Sequence, residues 1–198
     1  MSIMGLLFLL VMVMVFAFTF KAGLWNNLTR LIVIITAGLI ATNWFEPLAS
    51  YIETSVPWLW YFADYGAIWT IFCVALFSLN YVTMKLSFTS VRFTKTVDEV
   101  GSAVFSAACG FALVCFVAMT LHMAPLGRES FFGSFKPEQP MFFGLYPDRM
   151  WLAFCQQCSR GVYSNGDANV FDPKSDFLLR TAAKRERFDA AKSAFSGK

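Results

Sequence analysis

The chain has 198 residues and a net charge of +3, with 57% hydrophobic residues and only 15% charged ones. That balance excludes an ordinary soluble domain, in which about a quarter of residues carry charge. The charges are also segregated: residues 1–122 hold five basic and five acidic groups, and residues 123–198 hold the other eleven basic and eight acidic ones.

A helix needs about 17–25 mostly apolar residues to cross ~30 Å of hydrocarbon. Four such stretches predict an all-α membrane protein with spans at about 3–20, 28–45, 67–84 and 100–121, followed by a polar C-terminal tail over 123–198. The first, Ile3 to Phe20, has no basic region before it and no small-x-small cleavage site before Lys21. It reads as a retained helix rather than a secretory signal. Arg30 lies inside the second span near its start, where it can snorkel to the head groups. None of the four spans contains a proline.

Lys21 and Arg30 flank the first loop, and Lys85, Arg92 and Lys95 lie at the third, while the second loop, Glu46 to Asp64, has three acids and no base. Lys and Arg in short loops favour the cytoplasm, so loops one and three are expected there and both termini outside, in the periplasm for a bacterial inner membrane. Trp44, Tyr51, Trp58, Trp60, Tyr61, Tyr65 and Trp69 cluster around the second loop, as amphipathic rings do at an interface. A re-entrant or surface-lying loop broken at Pro47 and Pro57 fits the same residues.

Helix four opens on Thr96-Val97-Asp98-Glu99, which suits a capping box with Thr96 as N-cap. Its acids also lie at the positive end of the helix dipole. Ser102, Ser106 and Gly110 follow at four-residue spacing beside Gly101, Ala103, Ala107 and Ala108. One side of the helix therefore lacks bulk, which lets two backbones approach closely in lipid. That face serves either packing within the chain or a contact between subunits.

Two of these segments resemble the colicin V production protein (CvpA) family of four-span bacterial inner-membrane proteins. The family carries an Arg-Gly-hydrophobic-x-x-Glu element in its first cytoplasmic loop and an Asp-Arg-x-x-Gly-x-x-x-Gly element opening its last helix. Here the corresponding stretches are Ala22-Gly23-Leu24-Trp25-Asn26-Asn27 and Asp98 through Ser106, with Gly110 beyond. Gly23, Asp98 and Gly110 fit the pattern, and Ser102 and Ser106 keep two glycine positions small. Ala22, Asn27 and Glu99 depart from it and remove its charges. The resemblance covers about residues 1–122 and implies an accessory or structural component of envelope or export machinery, without catalysis.

In the tail, Asp148 to Arg160 is helix-permissive and closes at Gly161, a usual terminator. Asn165-Gly166-Asp167 marks a turn. Asp172-Pro173 suits an N-cap and first helical position, opening a charged helix through Phe195. Its bases, Arg180, Lys184, Arg185, Arg187 and Lys192, suggest a solvated or partner-facing helix, or one lying on anionic lipid.

Chemistry is sparse. His122 has no second histidine and reads as a polar interface residue, and there is no glycine-rich phosphate loop. Cys73, Cys109 and Cys115 fall within spans as small packing residues. Cys155-Gln156-Gln157-Cys158 is the one pattern with reactive possibilities: a disulfide in an oxidising compartment or a metal clip, thiol exchange, or two residues sharing a helix face by periodicity. No catalytic residue, cofactor, metal or nucleic-acid partner is expected. The expected partners are the lipid bilayer and either other membrane subunits or copies of this chain. The alternatives are a membrane thiol oxidoreductase using Cys155 and Cys158, and a pore or transporter subunit assembled through helix four.

Overall fold

In hydrocarbon every backbone polar group must find its partner inside the segment, so the four apolar stretches can only be helices. In the computed structural model, which describes residues 3–86, 93–124, 142–160, 170–172 and 174–196, they are α1 (Ile3–Thr19), α2 (Leu24–Ser55), α3 (Ala63–Leu86) and α4 (Lys95–Leu121). A short helical turn at Phe20–Ala22 extends the first, and another at Pro57–Leu59 lies between α2 and α3. All four are long and apolar enough to cross a membrane. The tail adds α5 (Pro147–Arg160) and α6 (Phe177–Ser196). The predicted turn at Asn165-Gly166-Asp167, the terminator Gly161 and Pro173 lie outside the described residues.

Helix α2 is the spine, packing extensively on both α3 and α4, while α1 lies against α4. Two apolar clusters result. Met4 and Phe8 of α1 meet Val114 and Ala118 of α4 in one. In the other, Ala37, Ala41 and Phe45 of α2 meet Ile68 and Phe72 of α3 and Phe116 of α4. Phe72 and Phe116 stack with ring centroids 4.3 Å apart. Leu6, Leu10 and Phe18 on α1 and Val74, Phe77 and Met84 on α3 are exposed, which in a bilayer means facing lipid.

The second loop is shorter than expected, because α2 continues through Pro47 to Ser55. Proline removes one backbone hydrogen bond, a loss that packed neighbours can offset. Phe45 and Ala49, either side of Pro47, are both buried. At 1.5 Å per residue a helix of 32 residues is about 48 Å long, so α2 overshoots ~30 Å of hydrocarbon.

Helix α5 closes the far end of the core. Its Trp151 ring fills the space over Gly38, where an added Cβ would sit 2.5 Å from the ring. The indole Nε1 donates to Thr42 Oγ1 at 3.2 Å. Helix α6 begins at Phe177, later than Asp172-Pro173 suggests, yet Asp172 still caps it: its carboxylate accepts from the amides of Asp176 (2.9 Å) and Phe177 (3.2 Å). Rather than standing free in solvent, α6 docks on its own chain. Phe177 is buried edge-on against Phe45, and Lys184 Nζ donates to Asp64 at 2.7 Å and to Glu53 at 3.0 Å. Opposite charge explains the docking, since the second loop's three acids have no base of their own.

Candidate functional site

The two segments that carry the family resemblance meet at one end of the bundle. Gly23 precedes the first residue of α2 with φ +85°, a conformation that costs glycine nothing and other residues about 1 kcal/mol or more. That turn aims the amide of Leu24 at α4, where Asp98 Oδ1 accepts its hydrogen bond at 2.9 Å. Asp98 therefore caps the neighbouring helix, and its carboxylate lies at the positive ends of both α2 and α4. A Cβ on residue 23 would stand 3.3 Å from both carboxylate oxygens, so this turn leaves little room for a side chain.

The expected cap by Thr96 does not form. Helix α4 starts two residues earlier, at Lys95, after Thr94, which makes no side-chain cap. Glu99 faces Lys95 at 4.0 Å on the exposed side. Of the two acids in this turn, half-buried Asp98 is the one that reaches the first amide of α2.

Directly behind Asp98 lies a buried polar ladder. Asn27 is fully buried, and its Nδ2 donates to Ser102 Oγ and Ser106 Oγ, each at 2.9 Å. Ser102 Oγ in turn donates to the Phe20 carbonyl, tying the end of α1 to the same point. Asn27 Oδ1 accepts from Arg30 Nη1 at 3.3 Å, and Cys109 Sγ donates to the Asn27 carbonyl at 3.5 Å. Gly110 lies further along, where an added Cβ would be 3.2 Å from the Met12 carbonyl oxygen.

Gly23, Asp98, Ser102 and Ser106 thus converge on one node, and Gly110 serves the α1–α4 contact. The Ser102, Ser106 and Gly110 row of α4 is buried against α1 and α2 of the same chain. Asn27 is the residue that sequence reasoning passed over: as a departure from the family's glutamate it signalled loss, yet it is the hub.

Cys155 and Cys158 are both free thiols on α5. Cys155 is buried, and burial pushes its thiol up to about 12 although Thr42 hydrogen-bonds to it. A thiol held protonated is a poor nucleophile, which counts against exchange chemistry. His122, expected as a lone interface residue, is buried with Nε2 2.9 Å from Asp148 Oδ2 of α5. That contact pins α5 to the end of α4, and nothing in the spacing of the two residues announces it. Among the described residues no cluster of His, Cys, Asp or Glu is suited to a metal ion.

No curated protein and no solved structure matches the chain. The family model described as colicin V production protein matches residues 4–134. It spans all four long apolar helices and both halves of the Gly23–Asp98 node, and this multi-pass membrane protein belongs to the colicin V production protein family.

Proposed function

We propose that the protein is a non-catalytic accessory or structural component of envelope or export machinery in a bacterial inner membrane. Its first and third loops face the cytoplasm and both termini face outside. The observation that best supports a structural role is the Asp98–Leu24 hydrogen bond. The acid of the family-like segment is engaged in fixing one helix end to another, and Asn27 and the serines behind it bond to each other. Partners are then other membrane proteins held by the finished bundle.

Covalent cross-linking in intact membranes followed by purification in gentle detergent tests the role, with specific membrane proteins expected in fixed ratio to the chain. Recovery of the chain alone, with no reproducible neighbour, overturns it. For the orientation, Ser164→Cys in an otherwise cysteine-free variant should react with an impermeant maleimide once the outer membrane is permeabilised. Labelling only after the inner membrane is broken reverses the topology.

A further inference from the structure

Between α6 and the projecting end of α2 lies a cavity of about 300 Å³ whose walls differ in character. Phe45, Met123 and Phe177 make an apolar side, and Glu46, Glu53, Asp64, Arg180 and Lys184 a charged one. Glu46 in its wall is the first charged residue of α2 after Arg30, so in a spanning α2 the cavity lies where the apolar run ends.

The two principal charges are incompletely engaged. Arg180 Nε makes a hydrogen bond to Asp176 at 2.9 Å, but its terminal nitrogens stand 3.6 Å from Glu46 and 3.8 Å from Asp172. Those are ion-pair separations, too long for hydrogen bonds, so the planar fork of donors remains available to an incoming anion. Glu46 is 64% exposed, and that long ion pair is its one charged contact among the described residues. A cation donor and a carboxylate acceptor therefore lie side by side, each with unused capacity. Lys184 differs: Asp64 and Glu53 already hold it at 2.7 and 3.0 Å.

We propose that this cavity binds the headgroup of a zwitterionic phospholipid bearing a primary ammonium, of the phosphatidylethanolamine class. The phosphate takes the terminal N–H groups of Arg180, the ammonium donates to Glu46, and the glycerol and first methylenes lie along Phe45, Met123 and Phe177. A primary ammonium has three N–H donors for a carboxylate, whereas a quaternary ammonium has none. The apolar wall and the position at the membrane boundary favour a lipid over the free headgroup. The assignment does not depend on which way the protein faces.

The test uses the full chain in mild detergent, with bound lipid measured by native mass spectrometry against phosphatidylethanolamine, phosphatidylcholine, phosphatidylglycerol and soluble phosphoethanolamine. Phosphatidylethanolamine should bind at least tenfold tighter than the other two lipids and than the free headgroup. Glu46→Gln should remove that preference while leaving phosphatidylglycerol binding unchanged. Arg180→Gln should weaken all three lipids, and subtilisin digestion will report whether α6 stays seated. If it does not, Glu46→Gln alone decides, since Lys184 and Phe177 still hold α6 in that variant. Equal binding of the three lipids, or a preference that survives Glu46→Gln, overturns the proposal. Phosphoethanolamine binding as tightly as the lipid overturns it in favour of a free solute.

Discussion

The carboxylate of Asp98 accepts a hydrogen bond from the amide of Leu24, 74 residues earlier in the chain. A helix cap is ordinarily local, supplied by the residue just before the helix. Here glycine stands in that position, and the acid comes from a different helix. Asp98→Ala should lower stability by about 1–2 kcal/mol, read as a lower melting temperature in detergent. Asp98→Asn keeps an acceptor oxygen and should lose less. Equal melting of Ala and parent proteins would show that the cap does not matter to the fold.

Ser106→Leu strikes the ladder behind that cap. Ser106 is fully buried and accepts from Asn27, so leucine both crowds the α2–α4 contact, at about 1–3 kcal/mol, and leaves an Asn27 N–H without its acceptor, at roughly 1–3 kcal/mol more. Reduced yield of folded protein and early heat-induced aggregation are expected. A variant that assembles and resists heat like the parent contradicts this packing.

Two glycines in helix interiors should respond in opposite directions to alanine. At Gly66 an added Cβ meets nothing within 4 Å, so Gly66→Ala should stabilise by about 0.5–1 kcal/mol through helix propensity. At Gly38 the Cβ runs into the Trp151 ring, and Gly38→Ala should destabilise by about 1–3 kcal/mol and loosen α5. Hydrogen exchange over residues 147–160 reports the second effect, and unchanged protection there would mean that α5 is not seated on Gly38.

The docking of α6 should resist neutral and mildly alkaline pH and fail only beyond it. Burial works against the charge of Lys184, but hydrogen bonds and charges from Asp64 and Glu53 outweigh it and hold the ammonium above its ordinary 10.5. A raised folded value means that this contribution is complete below the unfolded pKa and is lost as pH rises through the folded one. Subtilisin cleavage within α6 should be flat up to about pH 9 and accelerate above about 10.5. Cleavage that rises steadily from neutral pH would assign the docking to other contacts.

Cys155 should resist modification in the folded protein, because its thiol is buried and that burial pushes its pKa up to about 12. Half-buried Cys158 should react with a small maleimide before Cys155 does. Alanine at both positions should leave any phenotype of the wild-type gene intact. Loss of that phenotype would revive the thiol-exchange reading.

Hydropathy made the four spans legible, since 18 or more apolar residues have no cheaper place than a bilayer. Where each helix ends was harder to see. Glu46 and Pro47 read as a boundary, because a charge and a missing amide usually terminate a helix, but the buried flanks Phe45 and Ala49 carry α2 through. The small face of α4 was visible in Ser102, Ser106 and Gly110, whereas its use was not. Asn27 meets those serines from 75 and 79 residues away, and no local pattern encodes such a distance. The same holds for His122 with Asp148 and for the bases of α6 with the acids of α2 and α3. The second loop's three acids without a base were read only for topology, although such a loop calls for bases from elsewhere.

The long reach of the Asp98 cap also bears on biogenesis. When α2 leaves the ribosome its leading amide has no acceptor from Asp98, and at about 5–20 residues per second the 74-residue separation corresponds to a wait of roughly 4–15 s. The opposite end waits longer still, because Lys184 follows Glu53 by 131 residues. The central helix is therefore made early and secured late, and through that interval it depends on lipid, water or an insertion factor to satisfy what the finished chain later supplies.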